Sequence, residues 1–254
     1  MYRWGVLLSV VVCVSLPLAR RCAGAAHGWS FPLCSQGHLN KVVIELVWYN
    51  IFSLFYDRAL EDLYAPFRPA AVEALHLTSG CSVLDLPCGT GQSIDLLVPH
   101  IGPEGAVLGV DQSSGMLRQA HRRVQKRGWE NVILRKASAS DVDAGMLVDA
   151  LGKPEVDAVL CALGLTALPE WEATFERLFT LLSPGGRFVL FDVYAAERTS
   201  SARSVELVAR ADLSREAWRP LEGMCTGFER TVLSTDVKKF GGELYVACGH
   251  KKAA

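Results

Sequence analysis

Val83-Leu84-Asp85-Leu86-Pro87-Cys88-Gly89-Thr90-Gly91 is the stretch on which the reading of this chain turns. A short apolar run that ends in an acid and a glycine turn has the form of a buried parallel strand emptying into a tight loop before a helix. In an open parallel sheet the carboxyl ends of the central strands form the ligand crevice. Glycines at that place let a ligand approach backbone N–H groups that any Cβ would shield. Twenty residues past Gly91 a second apolar run, Ala106 to Asp111, also ends in an acid. That is the spacing at which a carboxylate reaches a ribose diol, so Asp85 and Asp111 together frame a ligand of adenosine type.

Outward from these two runs the chain alternates short β-branched segments with amphipathic ones. Strands are expected at 82–86, 106–111, 132–136, 156–162 and 187–194, and helices at 93–98, 113–126, 144–151 and 171–182. This rhythm implies a parallel sheet with helices on both faces. Ser183-Pro184-Gly185-Gly186 is expected to stop a helix and turn directly into a strand. Beyond residue 195 a polar helical stretch leads to two more strands, 229–234 and 243–249, separated by a turn holding Gly241-Gly242. The expected architecture is α/β: a doubly wound sheet of seven strands, five of them parallel, with a closing hairpin that adds an antiparallel last strand.

The 254 residues are 50% hydrophobic and 21% charged, enough to bury a sizeable core around one domain. With 26 basic and 27 acidic side chains the formal charge is −1 and neither sign forms a block, so no nucleic-acid partner is expected. Eight cysteines stand scattered, several inside apolar strand runs, and read as free thiols in the core. Cys-x-x-Cys and His-x-x-x-His spacings are absent, so no metal site is expected.

Residues 1–26 read as a targeting or anchor segment. Trp4 to Ala19 carry no charge, and Ala23-Gly24-Ala25 has the small-x-small form of a signal-peptidase site. As a helix the uncharged run would reach roughly 24 Å, short of the ~30 Å hydrocarbon core. Membrane association through residues 4–19, or an organellar destination, follows as an expectation, with a cytoplasmic location as the alternative. Residues 27–80 read as an N-terminal helical cover: 41–63 is rich in apolar and aromatic side chains, Pro66 and Pro69 punctuate it, and 70–76 forms a short helix. The main domain then occupies 81–254.

The run 83–91 resembles the first motif of class I S-adenosylmethionine-dependent methyltransferases, and Gly109-Val110-Asp111-Gln112-Ser113-Ser114-Gly115-Met116-Leu117 resembles their second. Within that superfamily the chain is most similar to the ubiquinone/menaquinone biosynthesis C-methyltransferase group. Leu182-Ser183-Pro184-Gly185-Gly186-Arg187 resembles the turn before that group's fifth strand, and Trp48 to Ser53 with Tyr56-Asp57 resembles its N-terminal cover. The resemblance implies a Rossmann-like fold, S-adenosyl-L-methionine as cofactor, and methyl transfer to a small-molecule or lipid-like acceptor. It places Asp85 by the methionine amino group and Gly89, Thr90 and Gly91 under the cofactor backbone. Asp111 falls on the ribose hydroxyls, Gln112 and Met116 beside the adenine, and Ser138 and Ala139 at the adenine edge. Ala162, at the end of the fourth strand, completes the cofactor set, and Tyr49 and Tyr56 are candidates for the acceptor. No catalytic base is identified. Pro87 stands where the common motif has its first glycine, and it is acceptable only where no ligand needs that N–H.

Two rival classes share parts of this pattern. A nicotinamide-dependent oxidoreductase would need a third glycine or alanine where Ile94 stands, and a branched side chain there obstructs close helix–strand approach. A non-catalytic module could keep the cofactor fold as a binding platform. His76, His100 and His121 are isolated and read as structural or surface residues. Arg118, Arg122, Arg123, Lys126 and Arg127 read as the solvated face of the second crossover helix.

Overall fold

The computed structural model describes residues 63–253. The expected segment 1–26, most of the cover 27–80, and Tyr49 and Tyr56 lie outside the described residues. In chain order the elements are α1 (Arg68–Glu73), β1 (Ser82–Asp85), α2 (Ile94–Ile101), β2 (Ala106–Asp111), α3 (Ser114–Arg127) and β3 (Val132–Lys136). They continue with α4 (Ala144–Leu151), β4 (Val156–Ala162), α5 (Trp171–Thr180), β5 (Leu182–Tyr194), α6 (Ser200–Ala209), α7 (Arg219–Met224), β6 (Thr226–Ser234), α8 (Val237–Phe240) and β7 (Glu243–His250).

The strands form one seven-stranded sheet in the order β3-β2-β1-β4-β5-β7-β6. The first five run parallel, and β7 runs antiparallel to both β5 and β6. The expected α/β sheet is therefore present, with its antiparallel member last in sequence but inserted between β5 and β6. Starting from β1 the chain builds outward to β3, then crosses back to lay β4 on the other side of β1. Right-handed crossovers in opposite directions put α2 and α3 on one face and α4 and α5 on the other.

Alternation along the strands fills the second face. Leu84, Leu86, Leu108, Val110, Val159, Cys161, Phe188 and Leu190 point there, against Leu147 of α4, Phe175, Leu178 and Phe179 of α5, and Leu221 of α7. Phe175 stacks on Phe179 at 5.7 Å and meets Phe188 at 4.9 Å. On the first face Ile94, Leu97 and Ile101 of α2 are fully buried. The second helix to leave the crevice, α3, starts and stops by local chemistry. The Ser113 hydroxyl accepts the N–H of Met116 to open α3, and Gly128 closes it in the left-handed conformation at φ 68°.

Two details depart from expectation. β5 begins at Leu182, not after the Ser-Pro-Gly-Gly turn: Val156 pairs with Leu182 and Ala158 with Arg187, so residues 183–186 bulge out of the ladder and the strand resumes beyond them. Between β6 and β7 the expected turn contains a helical turn, α8, before Gly241-Gly242. A Cβ on Gly242 would lie 2.1 Å from the Tyr194 carbonyl oxygen, so only glycine lets β7 enter beside the end of β5. Cys88, Cys161 and Cys248 are buried, and with Cys81 and Cys225 they are free thiols, as read from sequence. Burial pushes the Cys88 and Cys161 thiols well above the ordinary thiol range.

Candidate functional site

The strand order reverses between β1 and β4, and an open α/β sheet binds its ligands at such a switch point. β1 delivers Asp85 to its carboxyl end, in register with Gly109 of β2 and Leu160 of β4. Asp85 has no exposed surface, and among the described residues neither carboxylate oxygen has a hydrogen-bond partner. Burial pushes its pKa up to about 7; the nearby Asp111 charge adds to the rise and Arg68 opposes it. An ionised carboxylate held dry and unpaired costs several kcal/mol, and native proteins keep such a group where a cationic or donor ligand completes it.

The turn after β1 is built to be approached. Gly89 (φ 55°) and Gly91 (φ 81°) both adopt backbone conformations that side chains avoid. Among the described residues a Cβ on Gly89 would meet nothing within 4 Å, so its backbone faces open space between them. A Cβ on Gly91 would lie 3.3 Å from Ala120 Cβ, so this glycine instead lets α3 come close. Ile94 is fully buried as the first residue of α2, its Cδ1 3.5 Å from that same Gly91 position. A third small residue is thus replaced by packed core.

Asp111, at the end of β2, has two roles. Its Oδ2 accepts the Gly89 N–H at 3.0 Å and its Oδ1 accepts the Ser113 N–H at 2.8 Å. These bonds tie the glycine turn to the start of α3 and leave each oxygen a further lone pair for ligand donors. Burial raises its pKa to about 6, and the two amide bonds hold it back from a larger rise. Of the remaining expected cofactor residues, Thr90, Met116 and Ala162 are buried and Gln112 is half-buried. Ser138 and Ala139, half-buried after β3, open a single helical turn in which the Ser140 hydroxyl donates to Ser138 Oγ at 2.9 Å.

Pro87 finds its reason across the crevice. A Cβ on Gly164 would fall 2.1 Å from Pro87 Cδ, so the proline ring occupies space that Gly164 vacates. The loops after β1 and β4 are thereby locked face to face. Leu163, between Ala162 and Gly164, holds φ 56°, and its N–H donates to the Phe191 carbonyl at 2.7 Å. A non-glycine residue in this region stores strain at the rim of the crevice.

The structure corrects one reading and adds three residues. Arg123 does not belong to a solvated face: its Nε donates to the Thr90 carbonyl at 3.2 Å and its Nη1 pairs with Asp95, clamping α3 onto the glycine turn. His100 and His121 each bond only a carbonyl of their own helix, at 2.8 Å, as structural histidines do. The additions are Arg68, beside the exit of the glycine turn, and the pair Thr166 and Asp192. Asp192, buried near the end of β5, accepts the Thr166 hydroxyl at 3.0 Å, the Val193 N–H at 2.8 Å and the Thr166 N–H at 3.4 Å. Burial lifts its pKa to about 6 against these bonds. Asp192 thus pins the loop after β4, and the Thr166 carbonyl also accepts Arg215 Nη1 at 3.1 Å. An acid inside the apolar run Phe188 to Tyr194 is the sequence signal that could have exposed this pin. Among the described residues no group of three or more His, Cys, Asp or Glu could hold a metal ion.

Comparison with known proteins agrees with this geometry. The chain is 32% identical over 141 residues to the arsenite methyltransferase of Aquipseudomonas alcaligenes, covering 54% of this chain and 40% of that one. It is 31% identical over 169 residues to the demethylmenaquinone methyltransferase of Lactococcus lactis, covering 63% of each. The chain thus spans about half the length of the curated relatives it matches. The solved structure of DhpI in complex with S-adenosylhomocysteine has the same fold, with a TM-score of 0.55 at 22% identity over 81% of this chain and 95% of that one. A family model described as a methyltransferase domain matches residues 77–230, from just before β1 into β6 and across the whole crevice. With its sheet order, its two strand-end carboxylates and its glycine turn in that matched stretch, the chain belongs to the methyltransferase domain family.

Proposed function

We propose that the protein transfers a methyl group from S-adenosyl-L-methionine to a small-molecule acceptor. The observation that carries the reading is Asp85: a fully buried carboxylate with both oxygens unpartnered among the described residues, at the switch point, beside the open backbone of Gly89. The residues present fit the cofactor. Asp85 would accept from the ammonium of its methionine moiety, the Gly89 turn would lie under its chain, and the free lone pairs of Asp111 would take the ribose hydroxyls. Gln112 and Met116 would flank the adenine, with Ser138 and Ala139 at its edge and Ala162 at the β4 rim. When bound, the cofactor supplies a methyl on a sulfonium, already activated for in-line displacement.

The protein's own work is then positional. The Pro87–Gly164 contact and the Asp192–Thr166 pin fix the two loops that border the crevice, which holds an acceptor at near-attack distance and excludes water. No side chain of the mechanism needs to form a covalent bond. Relatives named for arsenite and for demethylmenaquinone support a small, non-polymeric acceptor. The apolar stretch 42–56 favours a lipid-like one, with Tyr49 and Tyr56 as its contacts, and residues 4–19 as a signal-like or membrane-associating segment would bring the enzyme to it. Among the described residues no helix is long and apolar enough to cross a membrane. The test is transfer of labelled methyl from the cofactor to fractionated lipid and polar extracts. Label in an apolar fraction supports the full reading, label in a polar fraction replaces the lipid-like acceptor, and cofactor binding without transfer to any fraction overturns the enzymatic one.

A further inference from the structure

Arg68 lies on α1, before the stretch 77–230 that the methyltransferase domain matches. It is nonetheless only 8% exposed. Its Nε donates to Gln92 Oε1 and its Nη1 to Ser93 Oγ, both at 3.0 Å, and those two residues follow Gly91 directly at the exit of the glycine turn. The guanidinium has five N–H donors in a planar fork, so two neutral acceptors leave donors to spare. No carboxylate among the described residues lies within 4.0 Å of it, the reach of an ion pair. Its charge is felt at Asp85, where Arg68 is the opposing influence on the raised pKa.

Among the described residues the crevice therefore holds a buried cation without an anion in contact and a buried anion without any hydrogen-bond donor, on either side of one glycine turn. Two opposite charges that attract but do not touch are costly in a dry site unless something bridges them. A zwitterion does so, with its ammonium on the carboxylate and its carboxylate on the guanidinium. We propose that Arg68 binds the carboxylate of the cofactor's amino-acid tail, making Arg68 and Asp85 together a zwitterion site that selects ligands with an intact α-amino acid. This inference rests on the cofactor reading above and adds to it a residue from outside the core domain. Planar, two-pronged carboxylate recognition is what arginine does better than lysine, and the anchoring by Gln92 and Ser93 fixes the fork in advance.

The test uses the full chain and a ligand cycle read by calorimetric titration. S-adenosylhomocysteine and its decarboxylated analogue, which keeps the amine and loses only the carboxylate, are bound to wild type, to Arg68→Gln and to Arg68→Lys. Wild type should prefer the intact ligand by about 10- to 100-fold, the range of a charge-assisted contact. Arg68→Gln should lose that preference while binding the analogue as wild type does, and Arg68→Lys should recover part of it. A preference unchanged in Arg68→Gln, or a loss that falls equally on both ligands, would overturn the assignment, the second because it marks a purely structural arginine. If wild type binds neither ligand, the cofactor reading falls and this inference with it; binding of the intact ligand with an unchanged ratio removes Arg68 alone.

Discussion

Replacing Asp85 by asparagine should make the unliganded protein more stable and the liganded one weaker, and the size of the first effect should depend on pH. The Asp85 carboxyl titrates at about 7 in the fold against an ordinary 3.8, chiefly through burial. A pKa raised by folding means that the folded chain holds the proton more tightly than the unfolded one. The stability this brings is complete below the unfolded value and is lost as the pH climbs through 7. Integrated between pH 5 and pH 8, the ionisation cost to the fold grows by about 2.5 kcal/mol. Asparagine has the same shape and cannot ionise, and its own burial cost is the same at both pH values. The gap in Tm between Asp85→Asn and wild type should therefore widen by roughly 5–10 °C from pH 5 to pH 8, at about 2–4 °C per kcal/mol for a chain of this size. Calorimetric scans of both proteins without ligand at the two pH values measure it. A gap that stays constant would mean that the carboxylate is solvated or paired, and the proposed zwitterion site would lose its unpaired anion. At pH 8 the same variant should bind S-adenosylhomocysteine about 10- to 100-fold more weakly.

Asp111→Ala should lower both stability and affinity, because the carboxylate anchors the Gly89 and Ser113 N–H groups as well as facing the ligand. About 2–4 kcal/mol of fold stability and 10-fold or more in affinity are expected, read by denaturant unfolding and calorimetry, and no change in either would remove Asp111 from the site. Gly164→Ala should cost at least 1–3 kcal/mol by driving a methyl into the Pro87 ring. The cost should shrink in a Pro87→Gly background by a coupling of about 0.5–3 kcal/mol, and strict additivity of the two changes would show that the loops do not meet there.

The sheet was legible because buried parallel strands read as nearly continuous apolar runs, and β2, β3 and β4 fall where the sequence places them. The strand-end placement of Asp85 and Asp111 was legible for a related reason: an acid that closes such a run has few structural excuses. β5 escaped in part because Ser183-Pro184-Gly185-Gly186 carries every local mark of a turn, while the pairing of Leu182 with Val156 is a tertiary fact. Arg123 was misread because helical periodicity reports which face is polar, not which loop the next element lays across it. Arg68 was invisible for the same reason. Its partners Gln92 and Ser93 lie 24 and 25 residues away, and nothing local distinguishes an arginine between two prolines from a solvated one. Pro87 was seen as a departure, but the glycine that accommodates it, Gly164, lies on another strand's loop.

A crevice between β1 and β4 shaped for S-adenosylmethionine and its product should reveal itself by ligand-induced stabilisation. S-adenosylhomocysteine at 100 times its Kd should stabilise the protein by about 2.7 kcal/mol, or roughly 5–11 °C in Tm. NAD and NADP at the same concentrations should produce no shift, since buried Ile94 occupies the place where a dinucleotide turn needs a small residue. A shift with NAD or NADP and none with S-adenosylhomocysteine would make the crevice a dinucleotide site instead.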